Sequence, residues 1–183
     1  MAKNIVVITG SGRKKGNSAA LADAFIKGAT AAGHAVSRFD AAVDRVQGCI
    51  GCDTCWSKGK ACTFDDGFDK LAPMLEQADA VVFAGPVYWY TFSTFLKGAI
   101  DKFYAYYGQR SQKKLKIAES ALLMTAEDNN DDVFKGSLES YRSIAGLCGW
   151  TDRGTVLVHS VNAVGEVNNT DGPVRAEKLG REM

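Results

Sequence analysis

The segment Asn4–Thr9, NIVVIT, is an almost unbroken apolar run, followed at once by a glycine-rich turn and an amphipathic stretch. A strand without polar alternation is buried on both faces, as in a parallel sheet covered by helices on each side. The unit recurs along the chain. Further strands are expected at His34–Asp40, Ala78–Gly85, Lys116–Thr125 and Thr155–Val161. Helices are expected at Ser18–Ala32, from an Asp65 or Asp66 cap through Leu75, and at Ser93–Tyr104, Asp132–Cys148 and Pro173–Glu182. Leu21, Ala24, Phe25 and Gly28 fall on one face of the first helix, which Gly33 should stop, and Pro73 should bend the second or shift its start. The second strand is shorter and more polar, as a strand near a sheet edge would be. Five strands alternating with helices imply right-handed βαβ crossovers and a mainly parallel, doubly wound α/β sheet. At 183 residues the chain is expected to form one domain, 1–183.

Charge and hydropathy narrow the partners. Lys plus Arg number 22 against 21 Asp plus Glu, so no basic excess asks for nucleic acid or an anionic membrane. No apolar run reaches the ~18 residues that span a bilayer, and MAKNIVVITG lacks a signal-peptide core, so a cytoplasmic protein is expected.

The loop GSGRKKGNS after the first strand joins a strand end to a helix start, where free N–H groups and the helix dipole favour an anion. The dinucleotide pattern GxGxxG fails, because the third glycine position is Lys15. The nucleotide loop GxxxxGK[ST] fails too, because Gly16 is followed by Asn17. Asp40, at the end of the second strand, could serve a ribose, but without the third glycine that match carries little. A phosphate monoester suits what remains: the Ser11 and Ser18 hydroxyls, the Asn17 amide and the Arg13 guanidinium. The alternative for Asn17 or Ser18 is a plain helix cap, and Lys14 and Lys15 read as a solvated turn.

With TGSGRKKGNS, DDGFDKL, ADAVVFAGPVYWYTFSTFLKGAIDKFY and ALLMTAEDN in order, residues 3–160 resemble the flavodoxin-like NAD(P)H-dependent FMN reductases. The resemblance implies a five-stranded parallel sheet of order 2-1-3-4-5 in a three-layer α/β/α sandwich. It implies FMN as cofactor, with Ser11, Arg13, Asn17 and Ser18 on the phosphate. Pro86, Val87, Tyr88 and Trp89 would contact the isoalloxazine, and Thr125, Ala126 and Glu127 its pyrimidine edge. Tyr88, Trp89, Tyr90 and Phe92 could equally form a dimer patch. Many relatives have glycine where this chain has TAEDNNDD, and Asn129–Asp132 reads as a turn and helix cap.

Residues 41–65 interrupt the rhythm and carry Cys49, Cys52, Cys55 and Cys62, a C-x2-C-x2-C-x6-C spacing. Thiolates so spaced resemble a compact iron–sulfur pattern. Structural zinc more often uses two separated pairs. Plain apolar thiols or a redox dithiol remain open alternatives. The family includes iron–sulfur flavoproteins, so a [4Fe-4S] cluster fed by a ferredoxin-like donor is one implied outcome. Cys148 reads as core, and neither His34 nor His159 joins a hydrolytic constellation.

The expected activity is transfer of electrons from NAD(P)H, as co-substrate, through FMN to a small acceptor: a quinone, flavin, azo or nitro compound, or metal ion. No catalytic side chain is assigned, because the flavin carries the chemistry. A homodimer or homotetramer is implied. The alternatives are an electron carrier between protein partners and a binding module that has lost its cofactor.

Overall fold

The computed structural model describes residues 1–183. Strand β1 (Asn4–Thr9) leads into helix α1 (Asn17–Ala31), then β2 (Ala35–Asp40). A short helix α2 (Thr54–Ser57) lies in the cysteine segment, and α3 (Phe68–Gln77) precedes β3 (Ala80–Tyr88). A two-residue strand β4 (Thr91–Phe92) precedes α4 (Thr94–Asp101), which tightens into a 3-10 turn over Lys102–Tyr106. Then come β5 (Glu119–Thr125), α5 (Lys135–Cys148), β6 (Thr151–Val158) and α6 (Gly172–Arg181).

The five main strands pair in parallel in the order β2-β1-β3-β5-β6, with β4 hydrogen-bonded antiparallel to β3. This is the order 2-1-3-4-5 implied by the sequence, with one short hairpin strand inserted. The polar β2 is an edge strand, as its composition suggested.

Several boundaries differ from the sequence reading. The third strand runs three residues past Gly85, because Val87 and Tyr88 pair with Phe92 and Thr91. The last strand begins at Thr151 rather than Thr155, since the exposed TDRG stretch pairs along β5 at the sheet edge without apolar residues. Pro73 is accommodated inside α3.

Alternate residues of the strands face two separate cores. Val6, Ile8, Val81, Phe83, Leu122 and Met124 pack with α3, α4 and α5, where Leu71, Leu75, Leu96 and Tyr141 are fully enclosed. Ile5, Val7, Ala80, Val82, Ala121 and Leu123 pack with α1 and α6 through Leu21, Phe25 and Ala176. Helices α1 and α6 touch backbone to backbone. A Cβ on Gly28 would lie 1.9 Å from the Glu177 carbonyl oxygen, and one on Gly180 would lie 2.2 Å from that of Phe25. No helix is long and apolar enough to cross a membrane.

Candidate functional site

The order in which strands are added reverses at β1, since β2 lies on one side of it and β3 on the other. In an open α/β sheet, ligands bind at that switch point, beyond the carboxyl ends of the strands. An open cleft of about 180 Å³ lies there.

Four segments line the cleft. The loop before α1 supplies Ser11, Arg13, Gly16, Asn17 and Ser18, the end of β3 supplies Pro86, Val87 and Tyr88, and the end of β5 supplies Thr125, Ala126 and Glu127. Val161 and Asn162, just beyond β6, close the fourth side. Ten of the eleven residues assigned to the cofactor in the sequence therefore meet in one place. The eleventh, Trp89, is absent from the lining and is 94% exposed.

The phosphate loop is shaped by close packing. Gly10 has no room for a side chain, because a Cβ would come within 2.5 Å of Leu96 Cβ and 2.6 Å of Ser93 Oγ. The buried Ser93 hydroxyl donates to Gly10 O at 2.6 Å, so the loop rests on the start of α4. Gly16 is the N-cap of α1, and no side chain caps that helix. The cap alternative for Asn17 and Ser18 therefore does not describe this structure. The first-turn N–H groups of a helix without a side-chain cap suit an anion, and Arg13 is the one cation in the cleft.

Trp89 stands out of the cleft because the turn between β3 and β4 holds just two residues, Trp89 and Tyr90, with φ of 47° and 64°. Two-residue hairpins with both central residues left-handed are ordinarily built from Asn and Gly. Two bulky aromatics in that conformation are strained. Helix α5 leaves room for the turn, since a Cβ on Gly136 would lie 2.3 Å from Tyr90 O.

The third loop is organised by its own polar side chains. Asp128 accepts from Asn129 N and from Asn130 Nδ2, and Asn130 in turn caps Asp132 N at 2.9 Å. The turn and cap expected for Asn129–Asp132 is present. Asp40 is committed elsewhere, to the Thr9 hydroxyl and to Arg38 at 2.8 Å.

A second cavity brings Cys49, Cys52, Cys55 and Cys62 together with Phe64, Lys102 and Tyr104. Gly51 and Asp53 adopt left-handed backbone between the first three cysteines. The Gly51 N–H donates to Cys49 Sγ at 3.4 Å. Hydrogen bonds from the Thr54 hydroxyl and N–H hold the Cys52 thiol below its ordinary value, whereas burial pushes Cys55 and Cys148 up. No three His, Cys, Asp or Glu side chains are arranged to hold a metal ion.

The segment is fastened to the 102–112 stretch. Trp56 stacks on Tyr104 with centroids 4.3 Å apart, the Arg110 guanidinium lies 4.5 Å over Trp56, and Tyr104 Oη donates to Asp53 at 3.0 Å. Beneath it Lys102 Nζ meets Asp66 Oδ2 at 2.5 Å, with both side chains under 5% exposed.

The order of the strands and the position of the cleft define a flavodoxin-like α/β fold. Solved structures with this fold include an NAD(P)H:quinone oxidoreductase from Methanothermobacter marburgensis, at a TM-score of 0.74, 18% identity and coverage of 99% of this chain and 96% of that one. An FMN-dependent NADH-azoreductase from Bacillus anthracis, solved with FMN, matches at a TM-score of 0.68, 14% identity and 98% of both chains. The sequence model of the NADPH-dependent FMN reductases matches residues 3–127, and the chain belongs to that family. An iron–sulfur flavoprotein from Archaeoglobus fulgidus is 33% identical over 128 residues, 70% of this chain. The chain spans about half the length of the curated relatives it matches, 57% of that protein and 50% of a second iron–sulfur flavoprotein from Methanocaldococcus jannaschii.

Beyond Gly16 of the phosphate loop, Val161 and Asn162 are the cleft residues that sequence reasoning missed. They belong to no motif, and the only pointer was their place just past a strand's carboxyl end.

Proposed function

We propose that the chain is an FMN-dependent NAD(P)H oxidoreductase that passes electrons to a small acceptor. One observation carries the reading: a guanidinium, several hydroxyls and a helix start without a side-chain cap meet an apolar wall in one cleft at the switch point. Arg13, Ser11 and Ser18 would hold the phosphate, while Pro86, Val87 and Tyr88 would border the ring opposite Thr125, Ala126 and Glu127. Bound FMN would supply the redox chemistry, taking two electrons from the nicotinamide and releasing them to the acceptor. The protein's part is to anchor the phosphate and keep one face of the ring dry. The quinone oxidoreductase and azoreductase names of its structural neighbours favour planar aromatic acceptors. The family as a whole suggests a single flavin-binding unit over 1–183, cytoplasmic, in a homodimer or homotetramer.

The test compares FMN with riboflavin, which lacks the phosphate. Arg13→Ala should weaken FMN by roughly tenfold to a hundredfold, the range for a charge-assisted hydrogen bond, and leave riboflavin unchanged. Equal weakening of both, or no flavin binding by the unaltered protein, would sink the reading.

A second reading has one observation in its favour: all four clustered cysteines line one cavity. With the iron–sulfur flavoprotein relatives, this supports a [4Fe-4S] cluster on Cys49, Cys52, Cys55 and Cys62 and a ferredoxin-like donor. Iron and acid-labile sulfide assays on anaerobically purified protein distinguish the two readings, at roughly four irons per chain or none.

A further inference from the structure

Asn17 sits where the phosphate loop becomes α1, yet its side chain is directed to a distant part of the chain. It is buried, and its amide makes three hydrogen bonds, all to the segment beyond β6. Nδ2 donates to Ala163 O at 3.0 Å, and Oδ1 accepts the N–H groups of Gly165 at 3.1 Å and Val167 at 3.2 Å. Both lone pairs and one of two protons are thereby used, which leaves a single N–H for any ligand.

The same segment is tied down on every side. Arg13 Nη1 donates to Asn162 O at 2.9 Å. Glu166 Oε2 accepts from Asn162 N at 2.6 Å and Ala163 N at 2.9 Å. Val161 N donates to Ala126 O at 2.9 Å, extending the wall formed by β5. Gly165 turns the segment at a φ of +93°, a conformation costly for any other residue.

We infer that Asn17 is a positioning residue, which clamps residues 161–167 as the fourth wall of the flavin cleft and so fixes the carbonyl that orients Arg13. The inference rests on the FMN reading, and it gives Asn17 an indirect role in place of a direct phosphate contact. The wall lies outside residues 3–127 matched by the family model. Sequence motifs within that region cannot reveal it.

The experiment uses Asn17→Ala, Gly165→Ala and the double variant, with FMN affinity read from flavin fluorescence and folding from thermal melts. Losing buried partners should raise the FMN Kd about tenfold in each single variant. The double variant should be no worse than the weaker single one, because both break one clamp. In flavin-free protein, amide exchange at Gly165 and Val167 should accelerate in Asn17→Ala. Additive losses, or normal FMN binding by Gly165→Ala beside weak binding by Asn17→Ala, would mean that Asn17 acts on the ligand directly, and the inference falls. If Asn17→Ala does not fold, Asn17→Ser and Glu166→Gln support the same comparison. Unaltered protein that ignores FMN overturns the parent reading, while the exchange experiment still decides the clamp.

Discussion

Replacing Lys102 by methionine leaves a carboxylate in the interior. The Asp66 side chain is 4% exposed and accepts from Lys102 Nζ at 2.5 Å, from Gln47 N at 2.8 Å and from Phe68 N at 2.9 Å. Lys102 also lies 5.2 Å and 5.4 Å over the rings of Phe64 and Phe68. Burial works to raise the Asp66 carboxyl, but the ammonium and the two N–H groups outweigh it and hold the group below its ordinary value. A carboxyl depressed in this way stabilises the fold above its unfolded value, and that contribution is lost as pH falls through the folded value. Removing one partner of a buried pair costs about 3–5 kcal/mol, which for a chain of this size lowers Tm by roughly 6–20 °C. Asp66→Asn with Lys102→Met keeps an acceptor for the two N–H groups and removes both charges, so most of the loss should be recovered. The assay is urea unfolding at neutral pH and at about pH 4.5, where protonation of the stranded carboxyl narrows the gap between Lys102→Met and the unaltered protein. Because Asp66 pins Gln47 and Lys102 lines the thiol cavity, Lys102→Met should also speed modification of Cys55 and Cys62. A loss below about 1 kcal/mol that is the same at both pH values would refute the account.

The strained hairpin gives a second expectation. Trp89→Asn with Tyr90→Gly should raise stability by about 1–3 kcal/mol, because those residues tolerate the left-handed turn. Unchanged melting would show that the turn is unstrained. Thiol reactivity gives a third: with Thr54 lowering the Cys52 thiol and burial raising Cys148, iodoacetamide at pH 7–8 (about the range where thiolates begin to form) should label Cys52 first and Cys148 last. Mass spectrometry of partially labelled protein reads the order, and early labelling of Cys148 contradicts it.

Much of the cleft was legible because its chemistry is local. Ser11, Arg13 and Ser18 lie within eight consecutive residues, between a strand and a helix that announce themselves by periodicity. The rest depended on contacts that no short window contains. Asn17 looked like a ligand or a cap, and its actual partners lie 146–150 residues away. The hairpin was hidden because its turn uses Trp and Tyr where turn chemistry asks for Asn and Gly. Lys102 reads as a surface residue on any scale, and only the packing around Asp66 encloses it. The start of β6 was missed because an exposed edge strand held by main-chain hydrogen bonds needs no apolar pattern.

The contact between α1 and α6 bears on the order of events during biosynthesis. The helix that opens at the cleft is made early, yet its backbone-to-backbone contact waits for residues 172–181, about 140 residues later. At ~5–20 residues per second, that interval is about 7–28 s on the ribosome. Throughout it the sheet alone covers Leu21, Phe25 and Ala29, and the side of α1 that meets α6 at Gly28 stays open to solvent. The cleft is likewise completed late, because Val161 and Asn162, which close its fourth side, follow α1 by about 130 residues.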